Sequence, residues 1–518
     1  MFFLFLLLRC SLSYLKIVQI EDNTKLFYLF FRIMVIDALK YQILQQFGFV
    51  PTEEQGLALD TFARFLTDRN PQAVMILRGS AGTGKTSLSG AIVRTLKAIR
   101  QKVMLLAPTG RAAKVFSLNS GCPAYTIHRR IYREKSFAGV DGQFNLNDNL
   151  FTDTLFMVDE ASMISNLGLG GSNFGSGCLL DDLVHFVYQG HNDRLMLIGD
   201  KAQLPPVGEE ESPALSRMML EGYGLKVYEC DLNEVLRQSQ ESGILYTATV
   251  IRQMITHDDI TQLPLIRFKG FADIVMMPGN ELVESLANSY YRVGQDETMV
   301  ITRSNKRANI YNNGIRNMVL DREEELSGGD MLMIVKNNYF WTEKERSEVM
   351  NEADKNAIPP FLANGDRAKV LRVSHHMELY GFRFATLLLQ FPDYDNYEMS
   401  VTALLDTLQS EAPALTHDQQ EQLFRGVEED YLDVSLKADR MKAIRVDQYF
   451  NALQVKYAYA ITCHKAQGGQ WEHVYVDQGY MTDDMLTPDY IHWLYTAFTR
   501  AKDKLFLVNW PKTQTEQV

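Results

Sequence analysis

The stretch that decides the fold is residues 73–86, AVMILRGSAGTGKT. Its first five residues are all apolar, as expected of a buried strand, and they run into a glycine-rich turn. The following segment, to Ile99, repeats apolar residues at helical spacing. A strand, a glycine-rich loop and a helix in this order are typical of phosphate-binding loops, because glycines let main-chain N–H groups wrap phosphate oxygens. We expect this loop to consist of Gly79, Ser80, Ala81, Gly82, Thr83, Gly84, Lys85 and Thr86.

Two side chains of this loop carry chemistry of their own. Lys85 can reach the β- and γ-phosphates of a nucleotide, and Thr86 can offer its hydroxyl to Mg²⁺. The alternative is a purely structural glycine-rich turn. The sequence around residues 73–86 therefore predicts a site for ATP and Mg²⁺.

Carboxylates follow a second apolar strand, at residues 155–158. Asp159 is expected to hold Mg²⁺, and Glu160 is expected to polarise the attacking water. A third apolar strand ends at Asp200, and Gln203 follows it in a proline-stiffened segment that can sense the γ-phosphate. A strand terminus and a proline-rich turn are the plain structural alternatives for these two segments. Together with the glycine-rich loop, they predict one composite site.

Composition limits the kinds of protein this chain can be. With 518 residues it exceeds what one hydrophobic core supports, so we expect at least two large units. The net charge of −12 argues against a surface that attracts nucleic acid everywhere, which restricts any such site to a local basic groove. The five cysteines are scattered without metal-ligand spacing, so neither disulfides nor a structural metal is expected.

The N-terminus is unusually apolar. Residues 1–8 and 27–35 are rich in apolar and aromatic side chains, but neither run reaches the ~18 residues that a membrane span needs. A secretory signal would carry its positive charge before the apolar run, whereas Arg9 follows it. We interpret residues 1–33 as an upstream extension of the reading frame or a disordered segment, with a signal or anchor as the alternative. The functional chain is then expected to begin near Met34.

Strands alternate with helices in two parts of the chain. This alternation predicts parallel sheets covered by helices on both faces, hence an α/β fold. A second α/β pattern occupies residues 299–302, 474–477 and 505–508. Between these strands, residues 329–447 change to broken β-like pieces and an acidic, helix-prone tract, which indicates an insertion.

Eight motifs follow one another in an order that resembles superfamily 1 DNA helicases of subgroup B, with RecD-like and Dda-like helicases as the nearest look-alikes. They are residues 79–86, 107–114, 126–129, 158–163, 199–208, 232–238, 459–468 and 494–502. The resemblance implies two RecA-like motor domains and a small SH3-like β-rich insertion in the second. The implied division is residues 1–33, 34–220 (motor domain 1, with a hairpin insertion at 121–150), 221–325 (motor domain 2), 326–450 (insertion) and 451–518 (motor domain 2, continued).

The resemblance also implies roles around the nucleotide. Gln55 resembles the glutamine that reads the adenine edge, and Gly468 lies in a nucleotide-binding motif. Arg237 and Arg500 resemble arginines donated from the second motor domain to the γ-phosphate, where a rigid guanidinium fork suits phosphate oxygens. One departure concerns the motif that ends in Gln467 and Gly468. Many relatives have an acidic ribose contact just after it, whereas this chain continues with Gly-Gln-Trp at 469–471.

A further set of residues resembles the groups that hold single-stranded DNA by its backbone. Hydroxyl, amide and ammonium contacts to phosphate carry no base information, which suits a motor that steps over any sequence. This set comprises Thr109, Gly110, Lys114, His128, Thr302, Asn305, Thr462 and His464. Structural roles as caps, packed side chains or solvated charges are the alternatives. Residues 137–149 are the expected place of the hairpin that splits the duplex, and Phe116, Tyr339, Phe340 and Trp341 are base-stacking or core candidates.

The reading that results is an ATP-dependent DNA translocase and helicase with ATP and Mg²⁺ as cofactors. The 5′-to-3′ direction is implied by the family and by no single residue. Expected partners are single-stranded DNA and duplex junctions, with no membrane, and a cytoplasmic monomer is expected. The alternative is a nucleic-acid-stimulated ATPase that clamps or remodels nucleic acid or a partner without processive unwinding; paired motor-domain motifs favour the helicase.

Overall fold

The computed structural model describes the chain apart from residues 1–22, 138–141, 169–174, 235–241, 258–261, 352–354, 356–357, 360, 483–484 and 517–518. Of the expected extension 1–33, the greater part thus lies outside the described residues. The first described helix, Asn23–Phe47, begins inside that extension and runs past Met34. Within the described ranges, no helix is both long enough and apolar enough to cross a membrane.

The first half of the chain alternates helices and strands as expected. Its helices are α1 (Asn23–Phe47), α2 (Glu53–Leu66), α3 (Lys85–Ala98), α4 (Gly110–Ser120), α5 (Ile127–Ile131), α6 (Leu179–Gln189) and α7 (Arg217–Gly222). Its strands are β1 (Ala73–Gly79), β2 (Lys102–Ala107), β3 (Ala124–Thr126), β4 (Tyr132–Phe137), β5 (Gly142–Leu146), β6 (Thr154–Val158), β7 (Arg194–Gly199) and β8 (Lys226–Leu232). Several helices start at threonine caps, because a threonine hydroxyl satisfies a free N–H of the first turn; Thr109 caps α4 and Thr126 caps α5 in this way.

Six of the described strands form one parallel sheet in the order β3-β2-β6-β7-β1-β8. Alternate residues of a strand point to opposite faces, and β1 shows this directly. Met75 and Leu77 pack on one face with α1, α2 and α3, whereas Val74 and Ile76 pack on the other face with α6. The sheet and its helices are called the first unit below.

The second half contains a second sheet with its helices, a small barrel, and two helices that pack on the barrel. Its helices are α8 (Gly243–Thr256), α9 (Leu282–Arg292), α10 (Asn305–Gly314), α11 (Phe340–Glu348), α12 (His417–Glu429), α13 (Lys437–Arg445), α14 (Cys463–Ala466) and α15 (Pro488–Phe498). Its strands are β9 (Ile274–Met277), β10 (Thr298–Thr302), β11 (Met331–Ile334), β12 (Arg367–Leu379), β13 (Phe382–Phe391), β14 (Tyr397–Leu404), β15 (Leu453–Tyr457), β16 (Ala460–Thr462), β17 (Trp471–Asp477) and β18 (Ala501–Val508).

A second parallel sheet, in the order β16-β10-β17-β18-β9, forms the second unit with helices α8, α9, α10, α14 and α15. Strands β11 to β15 close into a small barrel between its halves. Helices α12 and α13 pack on one end of the barrel, where Phe382, Phe384, Val427 and Ile444 share a separate apolar cluster. The expected fold class is confirmed: two helix-flanked parallel sheets with a β-rich insertion in the second.

Two domain boundaries differ from the sequence-based division. Strand β8 lies after residue 220 but pairs in parallel with β1, from Lys226 opposite Ala73 to Leu232 opposite Gly79, so it belongs to the first unit. Strand β15 lies after residue 450 but pairs with β11 and β14, so it belongs to the barrel. The sequence pattern does not reveal strand β8, because it is an edge strand of mixed polar and apolar residues. The central strands are continuous apolar runs.

Candidate functional site

The glycine-rich loop connects β1 to α3, as the sequence predicts. Gly82 and Gly84 have φ angles of 77° and 79°, which favour glycine because a Cβ strains this conformation. At Gly79 a Cβ would lie 2.8 Å from Lys85 Cγ, so a larger residue would displace the lysine. At these three glycines no side chain covers the main chain of the loop, and the Lys85 side chain can therefore pack directly against it.

Lys85 folds back onto its own loop. Its Nζ donates to the carbonyl oxygens of Gly79 and Ser80, the latter at 2.9 Å, and lies 4.0 Å from Asp200 Oδ2. A carbonyl binds an ammonium group less strongly than a phosphate does, since the phosphate carries a full negative charge. The ammonium group is thus held at the loop and can exchange its carbonyl partners for a phosphate.

The predicted carboxylates meet this loop at one edge of the first sheet. Strands β6, β7 and β1 are adjacent and parallel, so their carboxyl ends bring Asp159, Asp200 and Lys85 together. Asp159 Oδ1 accepts a hydrogen bond of 2.9 Å from the N–H of Glu160. Burial raises the pKa of Asp159 above its usual range, and the neighbouring Glu160 carboxylate adds to the rise. A cation placed beside this pair would remove that penalty, because an opposite charge favours the ionised form.

These residues line a cleft of about 700 Å³ whose opposite wall belongs to the second unit. Thr86, Glu160 and Gln203 lie on the first wall, and Gly468 and Arg500 lie on the second. The Gln203 side-chain oxygen is buried and has no hydrogen-bond partner among the described residues. Gly468 has a φ of 72°, and a Cβ there would lie 3.2 Å from Thr109 Oγ1, so the two walls meet closely at this glycine.

The two predicted arginines have different outcomes. Arg500 is buried, and its guanidinium donates to the carbonyls of Thr496 and Gly469 at 3.0 and 3.2 Å, so it faces the cleft while bound to its own unit. Arg237 lies outside the described residues. Its role stays a prediction.

Both ends of the Gln55 amide are occupied by hydrogen bonds within the first unit. Its Nε2 donates to the carbonyl of Thr83 at 2.9 Å, and its Oε1 accepts from the N–H of Thr52 at 3.0 Å. The second bond belongs to a capping box that starts α2. In this arrangement Gln55 connects α2 to the glycine-rich loop at residues 79–86, which is called the phosphate loop below. Gln55 would have to give up one of these two hydrogen bonds to contact adenine.

Two residues that the sequence analysis did not assign also reach the phosphate loop, and both come from the second unit. Tyr495 of α15 accepts a hydrogen bond of 2.9 Å at its Oη from the N–H of Ala81. Arg252 of α8 donates from Nη1 to Ser80 Oγ at 2.6 Å. Tyr495 lies inside the motif at residues 494–502, so the sequence could have indicated that it belongs to the site. Nothing in the sequence around Arg252 indicated the same for that residue.

The segment after β7 is bound to the same helix of the second unit. His492 Nδ1 lies 2.9 Å from the carbonyl oxygen of Ala202, and Thr496 Oγ1 accepts from the N–H of Leu204 at 2.7 Å. Gln467 Nε2 donates to the carbonyl of Leu204 at 2.8 Å. The proline-stiffened segment is therefore attached to the second unit on both sides of Gln203.

The predicted DNA contacts of the first unit gather near the start of α4. Lys114 Nζ donates to the carbonyl of Pro392 in the barrel at 3.3 Å and lies 4.0 Å from Asp393. A Cβ on Gly110 would lie 2.9 Å from Asp366 Oδ1, so the barrel packs directly on this helix end. His128 lies in α5, and burial lowers its pKa to about 4, which keeps its imidazole neutral at physiological pH.

The predicted contacts of the second unit gather at the carboxyl ends of β10 and β16. Thr302 and Thr462 are paired in register on these two strands. Asn305 begins α10, and its Nδ2 donates to the carbonyl of Glu411 at 3.2 Å, whereas His464 is exposed. Thr302 is fully buried and donates to the carbonyl of Ser304 at 3.1 Å, so its side chain supports the strand end in this structure.

The expected hairpin is present as β4 and β5, an antiparallel pair joined through residues 138–141, which lie outside the described part. Its Phe144 ring lies 6.1 Å from the ring of Tyr339, which stacks at 5.0 Å on Phe361 of the barrel segment. The other aromatic candidates belong to the core: Phe116 and Trp341 are 1% and 4% exposed. The hairpin and the barrel are thus joined by aromatic contacts.

The departure at 469–471 has a structural reason. Trp471 is 1% exposed, and the Arg111 guanidinium of the first unit lies 4.2 Å above its ring. A Cβ on Gly469 would lie 2.7 Å from this tryptophan and 3.0 Å from Arg111 Nε. Arg111 and Trp471 fill the space beside Gly469, so no side chain fits at that position.

Two family models match the chain, one over most of the first unit and α8, and one within the second unit. The model of an AAA domain matches residues 60–256, and the model of a UvrD-like helicase C-terminal domain matches residues 457–508. The first match includes the phosphate loop and the carboxylates of β6. The second includes Gly468, Tyr495 and Arg500.

Two curated relatives of at least 30% identity match a limited part of the chain. The ATP-dependent RecD2 DNA helicase of Deinococcus radiodurans is 30% identical over 157 residues, which are 30% of this chain and 18% of that protein. An uncharacterized protein of Methanocaldococcus jannaschii is 34% identical over 171 residues, 31% of this chain and 14% of that protein. The chain thus spans less than a fifth of the length of either relative.

Solved structures that are similar to this chain include one titled as two coordinating Pif1 helicases unwinding forked double-stranded DNA. It has 14% sequence identity, covers 91% of this chain and 95% of that one, and has a TM-score of 0.45. The two family models lie in the expected order on the two units that carry the eight motifs. In both units the chain is therefore similar to superfamily 1 helicases, the family that its eight motifs resemble.

Proposed function

We propose that this protein hydrolyses ATP with Mg²⁺ and uses the energy to move along single-stranded DNA and to unwind duplex DNA. One observation carries the proposal: the phosphate loop and the Asp159–Glu160 pair face Arg500 of a second, separate sheet across one cleft. A nucleotide in that cleft would touch both units. Its hydrolysis would therefore change the contact between them, which is the requirement for a motor stroke.

The residues that would hold the nucleotide fit its chemistry. The loop from Gly79 to Thr86 has two glycines in a left-handed conformation, so its main-chain N–H groups are free of neighbouring Cβ atoms. Thr86 and Asp159 line the same cleft and supply the oxygen ligands that Mg²⁺ prefers. Bound there, Mg²⁺ would neutralise phosphate charge. Glu160 is the candidate to orient the attacking water, and Arg500 and Arg237 are the candidates to meet the γ-phosphate.

The candidate contacts to DNA support a path across both units. Thr109, Gly110 and His128 lie just after β2 and β3 and Lys114 lies in α4, while Asn305, Thr462 and His464 lie at or just after the ends of β10 and β16, and the buried Thr302 supports the end of β10. Hydroxyl, amide and ammonium groups bind the sugar–phosphate backbone in any sequence. Contacts on two units whose separation varies with the nucleotide would advance a strand, whereas contacts on one unit would only hold it.

The 5′-to-3′ direction rests on the resemblance of the motifs to the RecD-like group. We further propose a monomer that works in the cytoplasm on single strands and duplex junctions, in DNA repair, recombination or replication. A relative that is named as a DNA helicase supports the DNA substrate. The clamp without processive movement is less favoured, since a one-sheet switch needs no second unit with its own arginine in the cleft.

ATP hydrolysis is tested with Lys85→Ala. Its ammonium group contacts the loop carbonyls and Asp200, so its loss should abolish DNA-stimulated hydrolysis and leave the thermal unfolding midpoint nearly unchanged. Lys97→Ala, an exposed lysine of the same helix, is the matched control and should keep full activity. Hydrolysis that ignores single-stranded DNA would contradict the motor.

Unwinding and direction are tested on duplexes that carry a 5′ or a 3′ single-stranded tail. We expect ATP-dependent strand separation with the 5′ tail and none with Lys85→Ala. Separation with the 3′ tail alone would contradict the direction. DNA-stimulated hydrolysis without separation of either duplex would favour the clamp.

A further inference from the structure

Tyr495 occupies the phosphate loop from the second unit. Its hydroxyl oxygen accepts the N–H of Ala81 at 2.9 Å, and its own O–H donates to Asp200 Oδ2 at 2.7 Å. The side chain is 1% exposed, and burial raises its pKa well above the ordinary value, so the hydroxyl keeps its proton. Lys85 Nζ lies 4.0 Å from the same Asp200 oxygen. One hydroxyl thus connects the loop to the carboxylate that faces the loop lysine.

Tyr495 and a phosphate cannot both accept the N–H of Ala81, because each group has a limited number of protons to donate. A tyrosine has one proton to donate, which goes to Asp200, and it binds the loop only as an acceptor. The N–H of Ala81 also has one proton, and it belongs to the set of main-chain N–H groups with which such loops bind phosphate oxygens. The N–H cannot serve both acceptors at full strength. A phosphate that enters the loop must therefore displace the tyrosine oxygen.

Displacement of Tyr495 would act on the rest of α15. The same helix holds Ala202 through His492 and Leu204 through Thr496. The carbonyl of Thr496 in turn accepts a hydrogen bond of 3.0 Å from Nε of Arg500. The group that leaves the loop and the arginine expected to approach the γ-phosphate thus lie on one connected stretch of chain.

We infer that the Tyr495 hydroxyl competes with nucleotide phosphate for the N–H of Ala81, so that Tyr495 is a positioning residue through which α15 is released when the loop is filled. This inference rests on the proposed function, because it requires the loop to bind a nucleotide. With Tyr495 bound to Ala81 the second unit holds the loop, and with a phosphate bound there it does not. Nucleotide affinity is therefore lower than the loop alone would provide.

The test is equilibrium binding of ADP with Mg²⁺ to the full chain, measured by titration calorimetry. Tyr495→Phe keeps the ring and removes the competing oxygen, so ADP should bind about three- to tenfold more tightly than to the wild type, as expected for one lost hydrogen bond. Tyr490→Phe is the matched control. It lies on the same helix, is similarly buried and donates its O–H to Gln478 within the second unit, so its affinity should match the wild type.

Each outcome separates the inference from the proposed function. Unchanged or weaker ADP binding by Tyr495→Phe overturns the inference, and so does equal tightening by both tyrosine variants. A purely structural role for Tyr495 would show weaker binding together with a lower unfolding midpoint. If the wild type fails to bind ADP, or if Lys85→Ala binds it equally well, the proposed function itself is wrong.

Discussion

Arg252 donates a hydrogen bond of 2.6 Å from its Nη1 to Ser80 Oγ, which places a guanidinium of the second unit on the phosphate loop of the first. The same Nη1 donates to the carbonyl of Asn233 at 3.1 Å, just after β8. Arg252 therefore touches the loop and the start of the connection between the units. Its position makes it a link that any relative movement of the units must strain or break.

We expect Arg252→Ala to lower the turnover of ATP hydrolysis by about ten- to a hundredfold, because a charged hydrogen bond contributes ~1.5–3 kcal/mol and 1.4 kcal/mol corresponds to a factor of ten. Steady-state hydrolysis with saturating single-stranded DNA measures the effect. Arg217→Ala is the control, since that exposed arginine binds Glu221 and Glu229 outside the cleft. Wild-type turnover in Arg252→Ala would show that the contact has no part in catalysis.

The aromatic contact between hairpin and barrel predicts a separation of activities. Phe144→Ala removes the ring that faces Tyr339, so the hairpin should be held less firmly where it meets the duplex. We expect unwinding of a tailed duplex to slow severalfold while hydrolysis stimulated by single-stranded DNA stays near the wild-type rate. Leu150→Ala, an exposed residue beside the hairpin, should change neither activity. Equal losses of unwinding and hydrolysis would contradict a role confined to strand separation.

Asp366 predicts a pH dependence of the contact between the barrel and α4. Burial raises the pKa of Asp366 to about 7, although the Ala363 N–H and the Tyr394 O–H both favour its charge. A raised pKa means that the folded state holds a proton that the unfolded state has lost. The stability from this group is therefore largest near pH 4 and falls as the pH rises to about 7, above which no further loss occurs.

We expect the thermal midpoint of the wild type to fall between pH 5 and pH 7 relative to that of Asp366→Asn. Asparagine accepts both hydrogen bonds and carries no charge to bury, so it removes this contribution. Asp393 and Lys114 also face the site and remain in both proteins. Parallel midpoints for the two proteins across this pH range would show that Asp366 is ionised throughout.

A buried ion pair near the barrel predicts a large loss of stability. Asp330 is fully buried and accepts hydrogen bonds from Arg316 at 3.0 Å and from Arg322 at 2.7 Å. Asp330→Ala leaves both arginines without their carboxylate, which costs about 3–5 kcal/mol in the free energy of unfolding. Denaturant unfolding measures it. Arg383→Ala, which breaks exposed pairs with Glu325 and Asp406, should cost under ~1 kcal/mol for each pair, and a cost equal to that of Asp330→Ala would contradict this account.

Local patterns predicted the parts of the site that lie close together in sequence. The glycine-rich loop and the Asp159–Glu160 pair each follow an apolar strand, and parallel strands bring their carboxyl ends to one edge, so their meeting followed from the pattern. The two helix-covered parallel sheets followed from the alternation of strands and helices, whereas the β-rich insertion followed from the change of pattern at 329–447 and from the family resemblance. The roles assigned to Arg500 and to the DNA contacts remain predictions.

The local sequence pattern could not predict contacts between residues that are far apart in the chain. Tyr495 and Ala81 are 414 residues apart, and Arg252 and Ser80 are 172 residues apart, so only the docking of the two units brings them together. The side chain of Gln55 shows a different limit. Its contact with adenine stays a prediction, because its amide orientation depends on Thr52 and Thr83, whose geometry no spacing rule specifies.

Strand β8 ends beside the phosphate loop, where the carbonyl of Leu232 accepts the N–H of Ser80 at 3.3 Å and Glu54 accepts the N–H of Glu234 at 2.6 Å. The chain therefore leaves the first unit within hydrogen-bond reach of the loop. When one rigid body turns about such a pivot, its displacement grows with distance from the pivot. If the second unit turned about this point, a small change beside the glycine-rich loop would become a larger displacement at the far side of the second unit.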